Sequence, residues 1–334
     1  MIRMELGKDS YNIEINRGNL EKAGEFLNLN RKVMIITDEG VPIQYAEKIA
    51  NQSKESYIKV VAQGEGSKSL QTAEEILVEM LEHQFSRKDC VVAVGGGVVG
   101  DLSGFVASLY MRGIDFYNIP TTVLSQVDSS IGGKTAVNLA GIKNIIGAFY
   151  QPKAVLVDPD TLFTLPERQI VNGLMEALKI GATSDLELFD IFKNGDWKES
   201  LDTIIEKALL VKKYVVEQDE KESHFRKILN FGHTIGHGFE SAAKGEFLHG
   251  ECVALGMLYM SDREIQKELV AIYEKLGFRV PDISTFSIEE IKQAIMHDKK
   301  ASNKSCSVVF VSEIGNGRIE EWPMEQVLAR LERE

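Results

Sequence analysis

The stretch from Leu229 to Gly250 holds three of the chain's six histidines in a short, glycine-rich segment. His233 and His237 are four residues apart, so a helix places both imidazoles on one face. His249 follows after a connection that Gly245 interrupts. Imidazoles in this arrangement suit a divalent metal, and a catalytic zinc needs three protein ligands with one open position. If the stretch is a metal site, another histidine or a carboxylate must complete the ligand set.

The histidines have two other possible interpretations, a zinc-protease signature and a purely structural role. HTIGH has the spacing of the zinc-protease signature, but Thr234 stands where that signature has a catalytic glutamate, so a peptidase would lack its general base. Any single histidine is more often a core or capping residue than a ligand. Three of them among flanking glycines favour a site: Gly232, Gly236, Gly238 and Gly250.

A second candidate site is the glycine run GGGVVGD at residues 95–101. Its Gly95-x-Gly97-x-x-Gly100 spacing follows a predicted strand and opens a helix, where free backbone amides can bind a pyrophosphate. A tight strand-to-helix turn uses glycine in the same way, so the motif alone is weakly specific.

Polar residues at the ends of neighbouring predicted strands support a nucleotide at this loop. Asp38 ends one strand and can bind a ribose hydroxyl, and Thr121 and Thr122 follow another. The polar loop QGEGSKS, residues 63–69, follows a third strand. We therefore predict a dinucleotide, with a nucleoside phosphate or a sugar phosphate as the alternatives.

Several basic and amide side chains are candidates for binding an anion. Residues 128–149 contain Asp128, Lys134, Asn138, Lys143 and Asn144 among glycines and apolar residues, and in a partly buried segment an unpaired lysine would be costly. A solvated loop is the alternative. Further basic residues stand before and after the histidine stretch, although each is individually more often surface charge: Lys212, Arg226, Lys299 and Lys300.

Glu176 and Lys179 are three residues apart on a predicted helix. This spacing is that of an ordinary helical ion pair. The pair gains interest because the histidine stretch still lacks a carboxylate ligand.

The predicted elements divide the chain into two domains. Strands alternate with helices up to Asp158, which indicates a mostly parallel sheet with ligands at the carboxyl ends of its strands. Long helices then follow, with one short hairpin near the end. We predict an α/β dinucleotide-binding domain over residues 1–159 and an all-α metal- and substrate-binding domain over 160–334. The predicted helices of the second domain cover 167–195, 199–218, 230–243, 250–276 and 287–299.

Composition narrows the class of protein. A net charge of −12 argues against a surface that binds nucleic acid or membranes. Any anionic substrate would have to be bound by lysines at defined positions. Cys90, Cys252 and Cys306 are isolated, so no disulfide framework is expected. The N-terminal residues lack an apolar signal core. A soluble, cytoplasmic enzyme is the expectation.

A resemblance to a known family rests on motifs in the same order from about residue 32 to 312. The chain closely resembles the 3-dehydroquinate synthase family, a group of sugar-phosphate cyclases related to iron-containing and glycerol dehydrogenases. Collinear motifs are far more specific than any one of them. They are GGGVVGD, MRG, IPTTVLSQVDSSIGGKTAVN, GIKNIIGAFYQP, TLFTLPER, NGLMEALK, RKILNFGHTIGH and LHGECVALGM.

The resemblance implies bound NAD, one divalent metal (zinc or cobalt) and a homodimer. By matching positions it implies the metal ligands Glu176, His233 and His249, with His237 left for proton transfer. It implies NAD contacts at Asp38, Gly64, Glu65, Lys68, Gly97, Val98, Val99, Gly100, Asp101, Thr121, Thr122, Lys134, Lys143, Thr161, Leu162, Phe163 and Thr164. It implies catalytic or substrate contacts at Asp128, Lys134, Asn144, Lys179, Lys212, Arg226, Asn230, Lys299 or Lys300, and Arg112 reaching a neighbouring subunit.

The implied reaction is a lyase step of the shikimate pathway, in aromatic amino acid biosynthesis. It converts 3-deoxy-D-arabino-heptulosonate 7-phosphate (DAHP) to 3-dehydroquinate and phosphate, through transient oxidation by NAD, phosphate elimination, re-reduction and an intramolecular aldol closure. Other sugar-phosphate cyclases and metal-dependent polyol or glycerol dehydrogenases are the alternatives. The intact SSIGGKTAVN disfavours the former, and the many cations disfavour the latter.

Overall fold

The computed structural model describes residues 1–298 and 305–332. They form two compact units, the first being Met1–Pro166 and the second beginning at Glu167. Lys299 and Lys300, which were predicted to bind substrate, lie outside the described residues.

A seven-stranded sheet organises the first unit. The strands of this unit are β1 (Ile2–Met4), β2 (Tyr11–Ile15), β3 (Lys32–Asp38), β4 (Glu55–Val61), β5 (Cys90–Gly95), β6 (Asp115–Pro120), β7 (Lys134–Leu139), β8 (Ile142–Phe149) and β9 (Ala154–Val157). The sheet has the order β1-β2-β9-β6-β5-β3-β4, and every pair except β1–β2 is parallel. The predicted mostly parallel sheet is confirmed.

The central strands are apolar because both faces of the sheet are covered. On one face, α2 (Leu70–Glu82) and α3 (Gly97–Leu109) pack their apolar side chains against alternate residues of β3 and β5. On the other face, α1 (Ile43–Asn51) contributes Tyr45, Ala46 and Ile49 to a second core. Parallel pairing places the carboxyl ends of β3, β4, β5, β6 and β9 along one edge, where the predicted nucleotide residues lie.

The segment 128–149 contains regular secondary structure, which excludes the alternative of a solvated loop. A π-helical turn at Ser125–Ser129 leads into the antiparallel hairpin of β7 and β8. Val137 is buried, as expected, but Ile145 is 55% exposed. The hairpin escaped prediction because apolar residues do not alternate along β8 and because Asn144 interrupts it with a φ of +56°.

The second unit is largely helical. Its elements are α4 (Glu167–Ser184), α5 (Leu186–Asn194), α6 (Leu201–Gln218), α7 (His233–Ala242), α8 (His249–Tyr259), α9 (Arg263–Lys275), α10 (Ile288–Asp298), β10 (Ser305–Phe310), β11 (Arg318–Pro323) and α11 (Met324–Ala329). The pairing of β10 with β11 makes the unit largely helical rather than entirely so.

Two long helices predicted in this unit are each two helices. The span 167–195 breaks at Asp185, whose side chain accepts the amide of Leu188 at 2.9 Å and caps α5. The span 250–276 breaks between α8 and α9, because the carbonyl of Met260 accepts the amide of Val311 and the amide of Asp262 donates to the carbonyl of Val311. Among the described residues, no helix has the length and apolarity needed to cross a membrane.

Candidate metal centre and nucleotide-binding edge

Helices α7 and α8 pack with their backbones in contact, and glycines make this possible. A Cβ on Gly256 would lie 1.9 Å from the carbonyl oxygen of Gly232, and one on Gly236 would lie 2.9 Å from that of Cys252. The close packing brings His233 and His237 of α7 next to His249 at the start of α8. Their ring centroids are 5.3 to 5.9 Å apart.

One face of α4 holds the amino end of α8 in place. Arg168 forms a two-pronged ion pair with Glu251, with both N–O distances at 2.7 Å, and Asn172 Oδ1 accepts the amide of Gly250 at 2.6 Å. One and two helical turns after Arg168, at spacings of four residues, the same face presents Asn172 and then Glu176. Arg168, Asn172 and Glu251 were not predicted from the sequence. The i, i+4, i+8 spacing of polar residues on α4 was the local signal for Arg168 and Asn172, and Glu251 on α8 had no such signal.

Glu176 lies beside His233 and His249 and is 1% exposed. Its Oε2 accepts a hydrogen bond from Lys179 Nζ at 2.5 Å. Its Oε1 has no hydrogen-bond partner among the described residues, and it lies 3.8 Å from His233 Nε2 and 3.5 Å from His249 Nε2. A buried carboxylate oxygen without a donor is rare, and a metal ion shared with the two imidazoles would satisfy it.

The histidines offer a second, overlapping donor set. The ligand atoms of His233, His237 and His249 all lie within 4.8 Å of one another. His237 is the exposed member of the three. The donor chemistry of both sets, nitrogen with or without one carboxylate oxygen, fits zinc or cobalt.

The charges of the site favour an ionised carboxylate beside a neutral imidazole. Burial opposes ionisation of Glu176, but Lys179, His233 and His249 outweigh it and hold its pKa well below the ordinary value. Burial and the nearby charge of Lys179 lower the pKa of His233 well below its ordinary value. A neutral His233 whose Nδ1 bonds the carbonyl of Phe231 at 3.2 Å presents the Nε2 lone pair towards Glu176.

Other predicted residues of the second unit lie around a turn before α7. Asp219 accepts backbone amides from Ser223, His224 and Arg226, which shapes this turn. Arg226 is 2% exposed and donates to the carbonyl of Glu220, while Asn230 donates to Glu222. Lys212 on α6 is 5% exposed.

At the carboxyl edge of the sheet, the amino end of α3 presents backbone amides without a side-chain cap. The residue before α3 is Gly96, which has no side chain to accept them. Packing also explains part of the glycine run, since a Cβ on Gly95 would lie 2.6 Å from Val99 Cβ. Asp38 accepts the amide of Gly40, and burial raises its pKa.

A buried glutamine, Gln126, which was not predicted from the sequence, links two segments at this edge of the sheet. Gln126 Nε2 donates to the carbonyls of Pro120 and Asp158 and to Thr161 Oγ1, at 3.0 to 3.1 Å. It thereby ties the end of β6 to the turn after β9. Thr161 and Leu162 of that turn are buried, whereas Phe163 is 78% exposed.

The loop after β4 and the β7–β8 hairpin share one polar cluster. Lys68 is 5% exposed, and its Nζ bonds Asp101 Oδ2 and Asn144 Oδ1, both at 2.5 Å. Asn138 donates to Glu65 at 2.9 Å. The cluster brings together side chains that were predicted to contact NAD and one that was predicted to contact substrate. Asp128 is half-buried, while Lys134, Lys143 and Arg112 are exposed.

The fold is that of sugar-phosphate cyclases. A 2-deoxy-scyllo-inosose synthase, solved with carbaglucose-6-phosphate, NAD+ and Co2+, matches with a TM-score of 0.86 at 24% identity, over 99% of this chain and 98% of the other. The 2-epi-5-epi-valiolone synthase of Streptomyces hygroscopicus subsp. jinggangensis, solved with NAD+ and Zn2+, matches with a TM-score of 0.86 at 26% identity, over 96% and 95%.

Within that class, sequence similarity identifies the family. The family models for the N-terminal and C-terminal parts of 3-dehydroquinate synthase match residues 58–172 and 173–301. A 3-dehydroquinate synthase of Streptococcus mutans is 40% identical over 99% of both chains. The chain belongs to the 3-dehydroquinate synthase family.

Proposed function

We propose that the chain converts DAHP to 3-dehydroquinate and phosphate with one divalent metal held by Glu176, His233 and His249, and with NAD at the carboxyl edge of the sheet. Its 3-dehydroquinate synthase activity, a step of the shikimate pathway, follows from its family. The main support for the metal site comes from Glu176 Oε1. This buried acceptor has no hydrogen bond among the described residues, and it faces Nε2 of His233 and of His249.

The reaction in this proposal has five parts. C5 of the substrate is oxidised, the C6 proton and the C7 phosphate are eliminated, C5 is reduced again, the sugar ring opens to release its ketone, and an intramolecular aldol addition closes the carbocycle. When bound, the metal supplies a Lewis acid for adjacent substrate hydroxyls, and NAD supplies a hydride acceptor that is regenerated within the turnover.

Lys179 has a positioning role towards Glu176 in this proposal. Its ammonium holds Oε2 at 2.5 Å, which turns Oε1 towards the two imidazoles. Both side chains are 1% exposed, so neither can change its orientation freely. The same charge can also attract an oxygen atom of the substrate.

His237 is the proton-transfer group of the proposal. Its ring lies 5.4 Å from that of His233 and 5.9 Å from that of His249, measured between centroids, and it is exposed. An exposed imidazole beside the ligands can pass protons between the substrate and solvent.

In this proposal, basic side chains held in fixed positions bind the carboxylate and the phosphate of the substrate. Arg226 and Lys212 are almost fully buried, so their charges lose little freedom on binding an anion. Side chains proposed to assist them are Asp128, Lys134, Asn144 and Asn230. Arg112 is proposed to reach the phosphate of a neighbouring subunit in a homodimer.

The test measures phosphate release from DAHP by the purified protein with zinc and NAD present, while absorbance reports NADH. We expect phosphate release without net NADH, and loss of activity on chelation. NADH that accumulates with glycerol, without phosphate release from DAHP, would contradict the proposal and indicate a dehydrogenase.

A further inference from the structure

A carboxylate lies on each side of the His249 ring. Its Nε2 faces Glu176 Oε1 at 3.5 Å, and its Nδ1 lies 3.1 Å from Glu240 Oε2. Glu240 is on α7, seven residues after His233 and three after His237, so it shares their helix face. Helix α7 therefore carries the proposed ligand His233 and also Glu240, which contacts the proposed ligand His249 on the side of the ring away from Glu176.

A neutral imidazole has one N–H donor and one lone pair, and the partner of one nitrogen decides the role of the other. The Glu240 carboxylate can only accept, so when His249 is neutral, as a metal ligand must be, it selects the tautomer with the proton on Nδ1. That tautomer presents the Nε2 lone pair towards Glu176. The backbone carbonyl of Phe231 does the same for His233.

We propose that Glu240 is a positioning residue that sets the metal affinity of the site through His249. This inference rests on the proposed metal site. A carboxylate behind a ligating imidazole fixes the ring orientation and raises the basicity of the ligand more than a carbonyl does. His249 needs such support because its side chain is 32% exposed, against 15% for His233, so packing holds its ring less firmly.

The competing explanation is that Glu240 and His249 form an ion pair that only holds α7 against α8. Two substitutions separate the explanations. Glu240→Gln keeps the size and an acceptor oxygen but removes the charge, and Glu240→Ala removes both. A matched control is Glu290→Gln on α10, since Glu290 forms an ion pair with Lys244 at 3.2 Å on an exposed surface.

The experiment titrates zinc into the metal-free full-length proteins against a chromophoric chelator, and it records the visible spectrum of the cobalt forms. We expect zinc affinity to fall about 10-fold in Glu240→Gln and towards 100-fold in Glu240→Ala. The cobalt spectrum should change in both variants. Glu290→Gln should match the parent protein, and the unfolding midpoints of the metal-free variants should stay close to it.

Parental zinc affinity in Glu240→Gln and Glu240→Ala would overturn the proposal, as would an affinity loss that merely follows a loss of metal-free stability. If Glu240→Ala does not fold, Glu240→Gln decides between the explanations. A parent protein that binds no zinc would instead refute the proposed metal site itself, so the two failures are distinguishable.

Discussion

Glu176 divides its two oxygens between a cation and a pair of imidazoles. Lys179 holds Oε2, and Oε1 faces Nε2 of His233 and of His249. Burial alone would favour a protonated carboxyl group at this position. The charges around it reverse that preference and lower its pKa, so the residue is available as an anionic ligand.

Glu176→Gln tests whether the carboxylate belongs to the ligand set. Glutamine keeps the size and an acceptor for Lys179 but lacks the charge. We therefore expect zinc affinity to fall by more than the roughly 100-fold that is typical when a residue hydrogen-bonded to a ligand is replaced. Chelator competition measures it. Glu187→Gln is the control, because Glu187 pairs with Lys207 on the surface. Unchanged affinity would show that the three histidines suffice.

His237→Asn separates proton transfer from metal binding. We expect zinc to bind as in the parent protein and phosphate release from DAHP to slow by about 10² to 10⁴-fold, the usual contribution of a general acid or base. Metal analysis and phosphate assays measure the two effects. The exposed His224 gives the control His224→Asn. Loss of zinc from His237→Asn would make His237 a ligand.

Asp219 controls the turn that holds Arg226, and its effect on stability depends on pH. Burial raises its pKa, but hydrogen bonds from the amides of His224, Ser223 and Arg226 outweigh burial and lower the pKa below the ordinary value. A carboxyl group with a lowered pKa stabilises the fold fully above its unfolded pKa of about 3.9, and this stabilisation is lost as pH falls through the folded pKa.

Asp219→Asn should therefore lower the urea midpoint of unfolding by a constant amount between about pH 5 and pH 8. The difference from the parent protein should narrow as pH falls below about 4, because the unfolded parent then binds a proton at Asp219 that the folded state, with its lowered pKa, does not bind. Unfolding curves at several pH values measure this. A difference that stays constant down to pH 3 would contradict the role assigned to the ionised carboxylate.

At the scale of elements, the contact between α7 and α8 brings the histidines together. The helices meet at Gly232, Gly236 and Gly256, where side chains would collide with backbone atoms. The face of α4 that carries Arg168, Asn172 and Glu176 then holds the start of α8. The geometry of the site is therefore a consequence of helix packing more than of any loop.

Gly256→Ala tests this packing. A Cβ there would lie 1.9 Å from the carbonyl of Gly232, so the helices must separate, and we expect a loss of about 1–3 kcal/mol in the free energy of unfolding together with weaker zinc binding. Urea unfolding and chelator competition measure these effects. Gly24→Ala is the control, since its Cβ would meet Gln52 at an ordinary 3.7 Å. Parental values for Gly256→Ala would contradict the tight crossing.

Local patterns predicted the elements that depend on local chemistry. The end of β3 at Asp38 was predicted, because its apolar run and the polar residue that ends it are contiguous. Patterns failed where distant residues decide the structure. The break between α8 and α9 depends on backbone bonds to Val311, and the Arg168–Glu251 pair joins residues 83 positions apart. The ligand set itself came from a family resemblance, since spacing on α7 alone left it open.

On the scale of the whole molecule, the chain is acidic, but buried basic residues lie at its candidate sites. The net charge is −12, yet Lys68, Lys179, Lys212 and Arg226 are almost fully buried. Burying so many cations is costly unless each has a defined role or partner. Lys68 belongs to the first unit, which carries the proposed nucleotide site, and the other three belong to the second, which carries the proposed metal site.

This division leads to an expectation for hydrogen exchange. A ligand stabilises the segments whose opening destroys its site, by about 2.7 kcal/mol at a concentration 100 times its dissociation constant. Removing zinc with a chelator should therefore speed amide exchange in α4, α7 and α8 and leave β3 and β5 unchanged. Adding NAD should slow exchange in residues 95–101. Mass spectrometry of peptides measures both effects, and equal deprotection of β3 and β5 on chelation would contradict the placement of the metal in the second unit.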